Sequence, residues 1–90
     1  MSNETSNKLQ ASFSTLILSI GSNAAMSLGL SPHPESEKVS IDLEIARFNI
    51  DLLKVIQEKT KNNLNEEEGH LLTNMLSDLQ YKFVEVKSKS

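Results

Sequence analysis

Apolar residues recur at helical spacing in three separate stretches of this chain, and none shows the alternation of a half-buried strand. The first stretch is Leu9, Phe13, Leu16, Ile17, Ile20, Ala24 and Leu28. The second is Ile41, Ile45, Phe48, Leu52, Val55 and Ile56, and the third is Leu71, Leu72, Met75, Leu76, Leu79 and Phe83. The breaks between them have chemical causes. Gly29, Pro32 and Pro34 end the first helix and leave Leu30 to Val39 as a loop. Ser40 is the expected N-cap of the second helix, with Asp42 and Glu44 suited to the positive end of its dipole. Asn62 and Asn63 close that helix, because asparagine tolerates the left-handed conformation used at helix ends. Asn65 then caps the third helix, with Glu68 in capping-box position three residues on. The pattern predicts an all-α fold: an N-terminal helix followed by a tight antiparallel helical hairpin. One domain is expected over residues 9–86, between polar tails at 1–8 and 87–90.

The middle helix has more apolar surface than one hairpin partner can cover. Its main stripe lies on one side, and Leu43, Ala46, Ile50 and Leu53 form a second stripe on roughly the opposite side. Only one strip stays polar, Glu44, Arg47, Asp51, Lys54 and Glu58, alternating in sign at spacings of three or four so that each can pair with the next. The first helix is unusual in another way. From Leu9 to Pro34 no residue is charged, and Ser14, Gly21, Ala25 and Gly29 line one flank, where small side chains let helices approach closely. That flank suits either a neighbour within the same domain or a second subunit.

Size sharpens the question. A chain of 90 residues buries only about 60 to 65 % of the surface its unfolded form exposes. Small domains therefore add disulfides, a metal or other subunits. The chain has no cysteine, which removes disulfides and thiolate zinc sites. Subunit association is left, and the expected oligomer interface is Ser14, Leu18, Gly21, Ala25, Leu43, Ala46, Ile50 and Leu53. A homodimer is the favoured assembly. The alternatives are an accessory subunit that presents the same neutral helix to another protein or to a membrane surface, and nucleic-acid contact by clustered basic hairpin tips.

Charge and composition speak against the last of these. The net charge is −3, where a phosphate-gripping surface needs concentrated positive charge. Phe13, Phe48, Phe83 and Tyr81 are the whole aromatic set, too few for a base-stacking platform. Lys54, Lys59 and Lys61 lie at the hairpin tip and Lys82, Lys87 and Lys89 at its other end, so they form no single patch. Met1 to Lys8 lacks the positive run of a signal peptide, and Leu16-Ile17-Leu18-Ser19-Ile20 is too short to span a bilayer, so a cytoplasmic location is expected.

Catalytic chemistry finds no footing. Glu67-x-x-His70 has the spacing of a dimetal half-site in a helical bundle, but both residues fall away from the apolar arc centred near Leu79. His33, between two prolines and near Glu35 and Glu37, reads as an ordinary polar loop. The serines have no histidine on a rigid neighbouring element, and Gly21 and Gly29 do not form a phosphate-cradling cluster. Glu66, Glu67 and Glu68 are an acidic run favoured by the helix dipole. No enzymatic activity, cofactor or metal is expected.

One resemblance covers nearly the whole chain, from about Phe13 to Val84. Asp42-Leu43-Glu44-Ile45-Ala46-Arg47 with Ile50-Asp51-Leu52-Leu53 resembles the central helix of a small bacterial family, domain of unknown function 1844. Glu58-Lys59-Thr60-Lys61-Asn62-Asn63-Leu64 continues the similarity, followed by Glu67-Glu68, Leu71-Leu72 and Leu76-Ser77-Asp78-Leu79; Leu28-Gly29-Leu30 and Pro34 also fit. The family pattern has glycine at the position of Asn62 and threonine at that of Asn65, both mild departures. The resemblance implies a compact helical protein with no assigned activity. It marks Lys59, Thr60 and Asn63 as the hairpin-tip positions to probe, against a turn-forming explanation for the same residues.

Overall fold

In the computed structural model, which describes residues 11–32 and 40–89, three helices follow one another: α1 (Phe13–Ser27), α2 (Leu43–Lys59) and α3 (Glu66–Lys89). Each boundary has a local cause. Ser12 caps α1, its hydroxyl accepting the Thr15 N–H at 3.1 Å. At the other end the Leu30 N–H donates to the Ala25 carbonyl at 2.9 Å and the Gly29 N–H to that of Met26 at 3.0 Å. This is the paired ending that requires a left-handed residue, and Gly29 supplies it with φ 78°.

The chain is then tied back before it enters α2. Leu28 and Ile41 form an isolated antiparallel bridge, and the Asp42 N–H donates to the Ser27 carbonyl at 2.7 Å. With Ile41 held extended, the helix cannot begin at Ser40. Asp42 is the N-cap instead, its Oδ1 accepting the Ile45 N–H at 3.2 Å, which corrects the expected cap. The capping box on α3 forms as expected: the Glu68 N–H donates to Asn65 Oδ1 at 2.7 Å, and the Asn65 N–H to Glu68 Oε1 at 3.1 Å. α3 also runs further than expected, through Lys87 and Ser88 to Lys89.

The core gathers one face of each helix. Ile17, Ala24 and Leu28 come from α1 and its end, Ala46, Ile50 and Leu53 from α2, and Leu72, Leu76 and Leu79 from α3. Phe13, Ile20, Leu43, Ile56, Met75 and Phe83 pack around them, half-buried. Asn49 is the buried polar residue of α2, and its Nδ2 donates to the Ile45 carbonyl at 3.0 Å, so it satisfies itself within its own helix.

The two stripes of α2 therefore exchange the roles given them by sequence. Ala46, Ile50 and Leu53, expected at an oligomer interface, lie inside the chain's own core, with Leu43 packed against it. The bulkier stripe is the one left out: Ile45 is 50 % exposed, Phe48 60 % and Val55 54 %. The reason is spatial. α1 approaches the Ile45, Phe48 and Asn49 side of α2, and α3 approaches the Leu43, Arg47 and Lys54 side. The inner stripe between them, with alanine at position 46, is the one both neighbours can reach.

Candidate functional site

The expected interface residues on α1 turn toward α3. Leu18, Gly21 and Ala25 line a groove of about 500 Å³ whose other wall includes Leu71, Met75 and Leu79. Ser14, one turn earlier, is half-buried. At Gly21 the flexible end of Met75 occupies the space a Cβ would take. The small-residue flank thus lets α3 approach α1 in the same subunit. It is already in use there.

Besides the exposed Leu18, Leu30, Tyr81 and Val84, a neutral surface along α1 and α2 is left uncovered. On α2, Ile45, Phe48 and Val55 are exposed along one side, with half-buried Leu52 between them at three- and four-residue steps and exposed Ile41 just before the helix. On α1, Leu16 and Asn23, seven residues apart, share the side that borders it. Between the two helices lies a groove of about 520 Å³ lined by Asn23, Met26, Ser27, Ile45, Phe48 and Asn49. No residue of that lining carries charge. The surface is not legible in the sequence, where the bulkier stripe of α2 reads as the buried one.

The hairpin tip is built from its own hydrogen bonds. Thr60 Oγ1 donates to the Ile56 carbonyl at 2.6 Å, the Asn63 N–H donates to the Thr60 carbonyl at 2.8 Å, and Asn63 Nδ2 donates to that of Lys61 at 3.4 Å. Thr60 and Asn63 are occupied in shaping the turn, while Lys59 is exposed on its rim. Asn62 has φ 69°, which gives the physical reason for glycine in the family pattern. Asn62→Gly is expected to keep or raise stability by up to about 1 kcal/mol, and Asn62→Ala to lower it by about 1 kcal/mol, since alanine meets the full left-handed penalty. Thermal melts of the two variants check this. Equal melting temperatures would refute the strained-turn reading.

His70 and Glu67 are both exposed on α3, and His33 lies outside the described residues. Among the described residues, no group of three or more histidine, aspartate or glutamate side chains is placed to hold a metal. The ion pairs found there are local to one helix, Lys82 with Asp78 at 3.1 Å and Lys54 with Asp51 at 3.9 Å. Both are solvent-facing pairs of the kind that contribute little. Among the described residues, no helix is long and apolar enough to cross a membrane.

The profile of one protein family, described as Domain of unknown function (DUF1844), matches residues 10–85. Comparison with curated proteins and with solved structures finds no match.

Proposed function

We propose that this chain, which belongs to the DUF1844 family, is a cytoplasmic, non-enzymatic helical interaction module that self-associates through its neutral α1–α2 surface. One observation carries the reading. Ile45, Phe48 and Val55 are each at least half exposed along one side of α2, with exposed Ile41 just before the helix, beside a first helix without charge from Phe13 to Ser27. Isolated exposed apolar residues need no explanation, but a row of them at helical spacing marks an interaction surface. A second copy meets this surface without leaving a charge unpaired, whereas a charged partner would have to desolvate its own groups against it.

This surface replaces Leu43, Ala46, Ile50 and Leu53 as the contact on α2, since those side chains are occupied within the subunit. Against nucleic-acid contact stands the company of the tip lysines. Lys59 and Lys61 share that end of the hairpin with Glu66, Glu67 and Glu68 at the start of α3.

The test is absolute mass by light scattering across a range of concentrations. A stable multiple of 10.0 kDa is expected. A monomer at every concentration would overturn self-association and make the same surface the site for a different protein.

A further inference from the structure

The neutral surface carries a protrusion and a recess side by side. Phe48 stands 60 % exposed at the rim of the groove formed by Asn23, Met26, Ser27, Ile45 and Asn49. A patch that holds both halves of a contact is what a two-fold interface requires, because each copy must present the same surface to the other. We infer that two copies of this chain pack across a two-fold axis beside α2, each Phe48 entering the groove of the other. The inference rests on the self-association proposed above and specifies its anchor.

Three observations converge on a second copy as the occupant. The groove, about 520 Å³, has room for a phenyl ring, and its lining offers aliphatic and sulfur contacts (Ile45 and Met26) with amides at the edge. Neither the protrusion nor the recess bears charge, so the two surfaces meet without electrostatic conflict. The exposed apolar area is close to what a small interface needs. Ile41, Ile45, Phe48, Val55 and Leu16 expose roughly 500 Å² of apolar side chain, which doubled and rimmed with polar contacts approaches the ~1,200–2,000 Å² of stable interfaces. A buried aromatic anchor at the centre of such a patch carries a disproportionate share of affinity.

Phe48→Ala removes the protrusion and Asn23→Trp fills the recess, and both positions are exposed, so neither change touches the core. Sedimentation equilibrium of each variant alone is expected to show association at least about 30-fold weaker than wild type. A 1:1 mixture of the two should associate at least about tenfold more tightly than either alone, because the mixed pair retains one Phe48 ring facing a groove that lacks only its own Phe48 side chain. Melts of both variants within a few degrees of wild type confirm that the fold is kept. If wild type assembles but neither variant weakens it, or if mixing restores nothing, the Phe48 arrangement is wrong while self-association stands. If wild type is monomeric, the underlying proposal falls first.

Discussion

Ile50→Glu is expected to unfold the chain, while Ile45→Glu leaves the fold intact and breaks only association. The two positions lie five residues apart on one helix, so their side chains point roughly 140° away from each other. Ile50 is 4 % exposed among the residues of the core, and Ile45 is 50 % exposed on the neutral outer surface. A carboxylate at position 50 has no cation within the core to pair with. It combines lost apolar burial with an unpaired buried charge, a loss of more than about 4 kcal/mol. A domain of this size has little more stability than that to lose. At position 45 the same carboxylate stays solvated in the monomer, and its cost appears when a second copy must cover it. Circular dichroism should therefore show no cooperative melt for Ile50→Glu. For Ile45→Glu it should show a melt close to that of wild type at dilute concentration, with light scattering reporting a monomer. The reverse result, a folded but dissociated Ile50→Glu, would restore the inner stripe to the interface and place the outer stripe inside the fold.

That reversal marks where reading the sequence succeeds and where it stops. The punctuation was legible because its causes are local. Gly29 ends α1 with a left-handed residue, Asn62 adopts one in the hairpin turn, and Asn65 with Glu68 closes the box on α3. Each of these depends on residues within a few positions of one another, so spacing and residue type suffice. Ser40 failed as a cap because the bridge from Leu28 to Ile41 is a contact across the loop, invisible to local pattern. The two stripes of α2 failed for a related reason. Both are apolar and both have helical spacing, and bulk favours Ile45, Phe48 and Val55. What decides between them is whether α1 and α3 can reach the same face together, and that depends on alanine at 46 and on small residues in the facing helix. Periodicity reports that a face is apolar. It does not report which neighbour will cover it. At the hairpin tip, the hydrogen bonds of Thr60 and Asn63 are those of the turn, a use of these residues that their types and position already suggest.

Gly21 and Met75 offer the sharpest test of how α1 sits against α3. A glycine inside a helix costs about 1 kcal/mol relative to alanine, so something must offset that cost at position 21. The Met75 side chain occupies the space a Cβ would take. Because methionine is flexible and Met75 is only half-buried, Gly21→Ala should be nearly neutral: the sulfur swings aside, and the gain in helix propensity offsets the lost contact. Gly21→Leu is different. Four carbons cannot be accommodated by a rotamer change, so α1 and α3 must separate, with an expected loss of about 2–3 kcal/mol. At fixed protein concentration that corresponds to a fall in melting temperature of about 8–24 °C. Met75→Ala alone should cost about 1–2 kcal/mol, part of the range for a fully buried methionine. The double variant should then be less destabilised than the sum of the two by at least about 1 kcal/mol, because the leucine fills the space the methionine leaves. Strict additivity would mean that the two residues do not meet and that α3 does not rest on the small-residue flank of α1. A coupled pair instead fixes that flank as an internal seam, which leaves the outer side of α2 as the surface open to a second copy.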